Sequence, residues 1–470
     1  MCSVGGSSAS DASAFLFWKT VFFTRKSHAD STSKHIKGDS NTMSTIVIVG
    51  AQWGDEAKGK LVDALASQAD FVVRFSGGNN AGHTVYAHGH EFKFNLIPAG
   101  ILHSKCVSIL GGGMVICPRH LLKEYAETRE KHPQMGKLVI SSSAHVVFPY
   151  HFLLDRLEEQ ARGAHPIGTT SRGIGPAYQD KVARIGIRMG EFINPDVFPQ
   201  RLREVLAYKN RLLAMFGEAP LEYESMLQEY CGFANQLKPF VQDTEPIIQD
   251  AVEDGQNVMF EGAQGTYLDL DAGTYPYVTS SHPIAAGACI GTGIGPRMID
   301  QVWGVCKAYT TRVGSGPFPT ELNDDTGQWI REKGHEYGTT TGRSRRCGWL
   351  DLVALRQSCR INSMTGLVLT RLDVLSGLEK INVATKYCLD DKGLTSIPPD
   401  IQSLARVQPV YEEFEGWEKD LQSARSLNDL PSSARRYLEA ISDYSKTPIV
   451  VVSIGPKREE TIYLQSAFAK

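Results

Sequence analysis

The chain has 470 residues, of which 42% are hydrophobic and 21% are charged, a balance typical of globular proteins. Its 49 basic and 52 acidic residues leave a net charge of -3, which excludes a strongly basic surface that would hold a nucleic-acid backbone. No apolar run approaches the length of a membrane span, so neither nucleic acid nor a membrane is expected as a partner.

Residues 1–43 differ in composition from the rest of the chain. They are rich in serine, and their apolar stretch 14–23 is interrupted by Lys19. We predict a disordered extension outside the fold, either upstream of a second start at Met43 or a transit peptide, against which aspartates 11, 30 and 39 count. The nine scattered cysteines contain no Cys-x-x-Cys pair, which favours reduced thiols in the cytoplasm. Import into an organelle through residues 1–43 is the alternative.

The stretch 45–60 predicts a strand, a glycine-containing loop and the start of a helix. From Gly54 the spacing is four residues, then Gly59 and Lys60, which resembles a phosphate-binding loop with N–H groups that attract oxyanions. Leu61 stands where that motif needs a hydroxyl for Mg²⁺, and Asp55 and Glu56 place acid in the loop. A carboxylate would therefore serve the metal or the chemistry. An ordinary glycine-rich turn is the alternative.

Later apolar runs predict further strands at 70–75, 138–141, 257–260, 302–308, 367–370 and 448–453. Helical spacing is found at 150–162, 201–216, 221–237 and 246–253. The range from about 197 to 254 is helical almost throughout, which predicts a helical subdomain inserted into the fold. Buried strands that each end in a polar loop predict an α/β fold with a mostly parallel central sheet, whose ligands bind at the carboxyl ends of the strands.

Five motifs occur together in a fixed order: Gln52–Gly59, Gly78–His83, Gly168–Arg184, Phe260–Gln264 and Gly338–Gly348. With them the chain closely resembles the adenylosuccinate synthetase family, from about Thr45 to the C-terminus. The resemblance implies that residues 44–470 form an α/β catalytic domain. It also implies a GTP- and Mg²⁺-dependent ligase that forms adenylosuccinate from IMP and L-aspartate through 6-phosphoryl-IMP, with release of GDP and phosphate. That reaction is the first committed step from IMP to AMP.

The resemblance gives catalytic roles to four residues. Asp55 would take the N1 proton of IMP, and His83 would donate a hydrogen bond or proton to O6. Lys58 would neutralise phosphoryl oxygens, and Gln264 would contact IMP. Asp55 and the Gly82 carbonyl would hold one Mg²⁺ per subunit. A histidine in a loop is more often structural, and only its motif and the Asp55 loop reverse that reading.

The same resemblance implies two substrate sites and a homodimer, with Arg184 reaching the IMP phosphate of the partner subunit. The residues implied for IMP are Asp55, Lys58, Asn80, His83, Thr170, Arg184, Gln264, Thr279 and Arg343. Those implied for aspartate are Val313, Thr339, Thr340, Thr341, Arg343 and Arg345. Turn capping by Thr170 and Thr279, and a surface ion pair at Arg184, are the alternatives.

The GTP site implied by the resemblance has a phosphate side and a base side. Asp373 would accept hydrogen bonds from guanine N1 and its 2-amino group, which adenine cannot offer. Arg371 stands where the family has lysine, and its planar side chain would cover the base. The full set is Gly54, Asp55, Glu56, Ala57, Lys58, Gly59, Lys60, Gly82, His83, Thr84, Arg345, Arg371, Leu372, Asp373, Ser453, Ile454 and Gly455.

Three positions depart from the family pattern: Ala57 replaces glycine, Ser344 replaces arginine and Arg371 replaces lysine. We expect Ala57 to cost little if its φ is negative. Two rival functions remain: a GTP-binding switch without aspartate chemistry, and a homologue that binds nucleotide without catalysis. The basic loop with Arg343 and Arg345, together with His83, argues against the switch.

Overall fold

The structure is a computed structural model that describes residues 44–163, 166–338, 342 and 344–468. The strands in these residues are β1 Thr45–Gly50, β2 Phe71–Arg74, β3 His83–Ala87, β4 His90–Phe94, β5 Val107–Leu110, β6 Val115–Ile116, β7 Lys137–Ser141, β8 His145–Val146, β9 Val241–Gln242, β10 Val258–Glu261, β11 Gln301–Lys307, β12 Thr310–Arg312, β13 Arg346–Gly348, β14 Leu350–Asp351, β15 Gly366–Thr370, β16 Leu378–Leu389, β17 Lys392–Leu394, β18 Gln408–Trp417, β19 Ile449–Ser453 and β20 Thr461–Tyr463.

The α-helices of the same residues fill most of the connections between the strands. They are α1 Lys58–Ala66, α2 Pro118–Lys131, α3 Pro149–Ala161, α4 Ile174–Ala183, α5 Met189–Phe192, α6 Phe198–Met215, α7 Tyr223–Leu237, α8 Thr244–Glu253, α9 Ala286–Thr292, α10 Asp325–Lys333, α11 Leu352–Asn362, α12 Ile401–Arg406 and α13 Ser432–Ser445. No helix in the described ranges is long and apolar enough to cross a membrane.

A ten-stranded sheet organises the fold, in the order β20-β19-β15-β11-β1-β10-β2-β5-β7-β9. Every neighbouring pair is parallel except β19 and β20. Residues 46–49 of β1 have no exposed surface, since β1 lies centrally and both faces of the sheet are covered. The predicted α/β fold with a mostly parallel central sheet is therefore confirmed.

Helices α6, α7 and α8 lie in the range predicted to be helical. The range also contains β9, which pairs with β7 at the edge of the large sheet, so it is not helical throughout. The hairpin of β3 and β4 and the second sheet, in which β16 pairs with β14, β17 and β18, have no counterpart in the predicted elements. Residues 1–43 lie outside the described part of the chain.

The strand order determines where the site forms. Strand β1 runs between β10 and β11, and β10 is followed by β2. Because these strands are parallel, the loops after β1, β2, β10, β11 and β15 all leave the same edge of the sheet. This edge gathers loops that lie far apart in the sequence: Thr370 Oγ1 donates to the Glu56 carbonyl at 2.9 Å across a separation of 314 residues.

Candidate functional site

The loop between β1 and α1 forms the floor of the site. The Glu56 carboxylate in this loop is fully buried and accepts hydrogen bonds from the backbone N–H of Gln52 at 3.1 Å and of Gly54 at 2.9 Å. In a phosphate-binding loop such N–H groups face the ligand. Here the Glu56 carboxylate accepts from two of these N–H groups, so they are not free to bind a phosphate. The predicted phosphate-binding loop is therefore partly filled by its own acidic side chain.

Ala57 does not meet the condition under which we expected it to cost little. Its φ is 67°, in the left-handed region, immediately before the first residue of α1. This conformation costs a non-glycine residue on the order of 1 kcal/mol, whereas glycine adopts it freely. The neighbouring Asp55 also has a positive φ, of 62°. The loop therefore carries backbone strain beside its acidic residue, a common feature of functional sites.

A cavity of about 380 Å³ opens beside this loop and is large enough for a small-molecule ligand. Most of the predicted site residues line it: Gly54, Asp55, Glu56, Ala57, Lys58, Gly59, Asn80, Gly82, His83, Thr84, Thr170, Gln264, Thr279, Val313 and Arg345. Asp55 and His83, which we predicted to act on the same substrate, thus face one cleft although they lie on different elements.

Asp55 belongs to a charged network that continues below the cavity. Its Oδ2 lies 2.8 Å from Nε of Arg345, and Nη1 of Arg345 donates to Glu336 at 2.7 Å. Glu336 is fully buried and also accepts from Lys307 Nζ at 2.7 Å and from the Tyr309 hydroxyl at 2.5 Å. Burial acts to lower the pKa of Arg345, but the Asp55 and Glu336 carboxylates raise it overall. Arg345 is therefore held as a cation against Asp55.

His83 is held by a carboxylate that we did not predict. Its Nδ1 lies 2.5 Å from Oε1 of Glu261, which ends β10 and has no exposed surface. Burial lowers the pKa of His83, and Glu261 opposes that shift. Burial acts to raise the pKa of Glu261, but the hydrogen bond from His83 and the charge of Arg74 lower it overall. Glu261 is therefore ionised and can only accept.

Lys58 and Gln264 meet at the mouth of the loop. Nζ of Lys58 lies 2.7 Å from Oε2 of Glu56 and 2.5 Å from the Gln264 carbonyl. Gln264 has a φ of 56°, and its side-chain Oε1 is buried without a hydrogen-bond partner in the described residues. A buried acceptor without a partner is costly, which a ligand donor in the cavity would relieve.

A second cluster gathers the residues predicted for the guanine base. Lys60 Nζ donates to Ser453 Oγ at 2.8 Å, to the Gly455 carbonyl at 2.7 Å and to the Glu460 carbonyl at 3.1 Å. Burial lowers the pKa of Lys60 to about 8. Oδ1 of Asp373 is buried without a partner in the described residues, and burial raises the pKa of this carboxyl against the charge of Arg371. Lys60, which the resemblance places in the GTP site, thus ties α1 to the 453–460 loop.

Some predicted residues do not line the cavity. Arg184, at the C-terminal end of α4, is exposed and forms no ion pair with another described side chain. The cavity lining also lacks the residues implied for the guanine base, which are Arg371, Leu372, Asp373, Ser453, Ile454 and Gly455. The predicted aspartate-binding residues Thr339, Thr340, Thr341 and Arg343 lie outside the described residues.

Within the described residues, a possible metal-ligand group of three side chains is formed by Asp269, Asp271 and His282. His282 Nδ1 lies 3.4 Å from Asp269 Oδ2 and 3.9 Å from Asp271 Oδ2. None of the three lines the cavity, so this group does not coincide with the predicted metal position at Asp55 and Gly82. Its geometry is that of a histidine paired with a buried carboxylate.

Comparison with known proteins places these observations in a family. The family model described as adenylosuccinate synthetase matches residues 47–462. The adenylosuccinate synthetase of Thermoanaerobacter sp. (strain X514) is 52% identical over 424 residues, which cover 90% of this chain and 100% of that protein. The enzyme of Clostridium botulinum (strain 657 / Type Ba4) is 50% identical over 425 residues, with coverages of 90% and 99%.

A solved structure gives the same result. Fully ligated adenylosuccinate synthetase from Plasmodium falciparum superposes with a TM-score of 0.85 at 39% sequence identity. The match covers 90% of this chain and 100% of that chain.

Proposed function

Because this chain belongs to the adenylosuccinate synthetase family, we propose that its cavity joins IMP to L-aspartate at the expense of GTP. The protein is a GTP-dependent carbon–nitrogen ligase of AMP biosynthesis, with IMP, GTP and aspartate as its substrates. The observation that carries the site assignment is the shared cavity, which Asp55, His83 and Gln264 all line.

The chemistry explains why an acid and a histidine are needed together. The C6 carbonyl of IMP is a poor electrophile, so O6 must first become a leaving group. Asp55 takes the N1 proton, which places negative charge on O6, and O6 attacks the γ-phosphorus of GTP as the bond to GDP breaks. His83 and Lys58 stabilise the charge on the transferring group. The aspartate amine then attacks C6, the C6–O6 bond breaks as phosphate leaves with O6, and the proton lost from the amine passes to water.

The residues around Asp55 also fit a magnesium ion. Asp55 and Gly82 line the same cavity. A carboxylate and a backbone carbonyl are the hard oxygen ligands that Mg²⁺ prefers. Asp55 already attracts a cation, since the Arg345 guanidinium rests on it at 2.8 Å. When bound, Mg²⁺ would neutralise phosphate oxygens of GTP. Asp55 and Gly82 would hold it, and Arg345 would then be available for the nucleotide and for aspartate.

Guanine selectivity is assigned to the second cluster. The unpartnered Oδ1 of Asp373 would accept from guanine N1–H or the 2-amino group, whereas adenine would leave it unpaired in a buried position. Lys60 holds the Ser453–Gly455 loop, and the Asp373 carboxylate interacts with the charge of Lys60. The loop containing residues 339–341 and Arg343 would close over aspartate.

The test is a steady-state assay of purified protein with IMP, GTP, L-aspartate and Mg²⁺. We expect adenylosuccinate only when all four are present, and ATP to replace GTP poorly. GTP hydrolysis that does not depend on IMP would favour the switch, and tight nucleotide binding without product would favour a homologue that has lost catalysis. The same protein, isolated from cells, would show by its N-terminal sequence whether residues 1–43 are retained and by its compartment whether it is cytoplasmic.

We assign Arg184 to the IMP site of a partner subunit in a homodimer. Arg184 is exposed and does not line the cavity of its own chain, although its helix α4 contributes Gly175, Pro176 and Gln179 to that cavity. The guanidinium suits a phosphate group by its forked geometry. In a symmetric dimer, an arginine that does not line the cavity of its own subunit can contact the cavity of the other subunit.

Arg184→Leu should raise the KM for IMP at least about tenfold, because one charge-assisted hydrogen bond is worth roughly 1.5–3 kcal/mol. The KM for GTP should change little. Mixing the Arg184→Leu protein with an Asp55→Asn protein should restore activity, because a mixed dimer contains one site with both native residues. An unchanged KM for IMP, or no recovery on mixing despite subunit exchange, would contradict the assignment.

A further inference from the structure

The segment 166–173 runs along the cavity and leads into α4. Its residues Gly168, Thr169 and Thr170 line the cavity, and Thr170 is one of the residues implied for IMP. The first half of the segment is held by one carboxylate of α3. Oε1 of Glu159 accepts from the backbone N–H of Gly168 at 2.5 Å and from that of Thr169 at 3.3 Å. A single oxygen thus anchors the two residues that precede Thr170.

The far end of the segment is held by a second carboxylate of the same helix. Asp155 is 6% exposed, and its Oδ2 accepts from the backbone N–H of Gly173 at 2.8 Å. Gly173 has a φ of 73° and packs so closely on α3 that a Cβ would lie 2.8 Å from the His151 Cβ. Asp155 and Glu159 are four residues apart, so they lie on one face of α3. Both ends of the segment are therefore held from the same side.

The segment has little else to fix its course. In the described residues, no backbone N–H of 166–172 donates to a backbone carbonyl, and that of Ser171 donates to the Thr169 hydroxyl inside the segment at 3.4 Å. Ser171 has a φ of 52°, a conformation that serine seldom adopts by its own preference. Without the carboxylates, the anchored N–H groups would have to turn to water. The course of the segment therefore depends on α3.

We propose that Glu159 is a positioning residue that, with Asp155 holding the far end, fixes the segment 166–173 and thereby places Thr170 for contact with IMP. This inference rests on the proposed function, in which Thr170 belongs to the IMP site. Glu159 and Asp155 both line the cavity, and by charge alone they would weaken the binding of an anionic nucleotide. Their bonds to backbone N–H groups supply a contribution in the opposite direction.

Two substitutions of Glu159 test the role. Glu159→Ala removes the acceptor for Gly168 and Thr169 and should raise the KM for IMP about tenfold, with kcat and the KM for GTP within about threefold of wild type. Loss of the charge alone would instead lower that KM. Glu159→Gln should keep the KM within about threefold of wild type, because its amide oxygen can replace Oε1 and accept both N–H groups. Its NH₂ group would replace Oε2, which has no hydrogen-bond partner in the described residues.

Thr170→Val shows whether Glu159 acts through Thr170. This substitution should itself raise the KM for IMP. Adding Glu159→Ala to it should raise the KM by less than a further threefold or so, because changes that act through one contact are not additive. Full additivity of the two effects, or an unchanged KM for IMP in Thr170→Val, would overturn the inference.

Glu222→Ala is the matched control. Glu222 also accepts two backbone N–H groups, from Glu224 at 3.1 Å and from Ser225 at 3.4 Å, but it lies at the start of α7 and does not line the cavity. Its loss should lower the midpoint of thermal unfolding and leave the KM for IMP unchanged. A rise in KM that Glu222→Ala matches, or that Glu159→Gln shares in full with Glu159→Ala, would contradict the positioning role.

The outcomes separate this inference from the proposed function. If the wild-type protein made no adenylosuccinate with all four components, the proposed function would be wrong and the inference would fall with it. If the wild-type protein were active and Thr170→Val raised the KM for IMP while Glu159→Ala did not, the proposed function would stand and the inference alone would be wrong.

Discussion

Asp55→Asn should lower kcat at least 1,000-fold while leaving the fold intact. Asparagine has nearly the same shape but cannot take the N1 proton, a function that contributes about 10²–10⁴-fold in enzymes. It also removes the negative charge on which a cation rests in this structure, and the loss of a metal position adds to the effect. The carboxylate is one-third exposed, so its pair with Arg345 contributes only about 1 kcal/mol or less to stability. The measurements are kcat, the KM for IMP and the midpoint of thermal unfolding.

Glu56→Gln is the informative contrast, because it changes the next acid in the same loop. Glu56 is fully buried and holds Lys58 and two backbone N–H groups. Its replacement should therefore lower the unfolding temperature, whereas Asp55→Asn should not. If Asp55→Asn retained activity within tenfold of wild type, the general-base assignment would be wrong.

The fold could be predicted to a large extent because its signals are local. The apolar runs at 70–75 and 367–370 became β2 and β15 with bounds within one residue, since a buried parallel strand needs little more than contiguous apolar side chains. The hairpin of β3 and β4 was missed for the opposite reason. His83 opens β3, but the polar residues around it read as a loop, and only the pairing with β4 shows the strand.

Site residues that belong to a sequence motif could be predicted. Contacts between chain segments that are far apart in the sequence could not. Asp55 and His83 came from the resemblance, and both line the cavity. Glu261 stands inside one of the motifs used, yet its partner lies 178 residues away, and no local pattern links a strand-ending glutamate to an imidazole. Glu336 was missed likewise, because a single acid in a helix-to-strand connection looks solvated until three buried donors surround it.

The backbone strain at Ala57 is a further feature that the sequence alone does not predict. The resemblance implies a glycine where Ala57 places a methyl group, but the cost of that methyl group depends on φ, and φ is set by the whole loop. Glu56 closes the loop from inside, and Gly265 approaches so closely that a Cβ there would lie 2.4 Å from the Gly54 nitrogen. Such a constraint comes from tertiary packing and overrides the preference of the single residue.

Glu336→Gln should destabilise the protein by about 3 kcal/mol at pH 7. The carboxylate neutralises two buried cations, Lys307 and Arg345, and removing one partner of such a group leaves uncompensated charge, which typically costs about 3–5 kcal/mol. Burial acts to raise the pKa of Glu336, but Lys307 and Arg345 lower it from 4.5 to about 2. That depression corresponds to about 3 kcal/mol. Urea unfolding monitored by circular dichroism gives the free energy of unfolding.

The stabilisation by Glu336 should depend on pH in a direction that follows from its lowered pKa. A carboxyl whose pKa is lower in the folded state stabilises the fold above its unfolded pKa, and the contribution disappears as the pH falls through the folded value. The difference in unfolding free energy between wild type and Glu336→Gln should therefore be complete above about pH 5 and shrink from pH 4.5 towards pH 2.

Glu413→Gln provides the matched control for the Glu336 experiment. Glu413 forms a 2.8 Å pair with Lys380, but both side chains are more than half exposed. Water screens such a pair, so its loss should change the free energy of unfolding by less than about 1 kcal/mol. Equal effects of the two substitutions, or a Glu336 effect that grows on acidification, would show that the buried network does not stabilise the fold through charge. A larger loss for Glu336→Gln would mean that the charge of Glu336, the carboxylate that also pairs with Arg345, stabilises the fold.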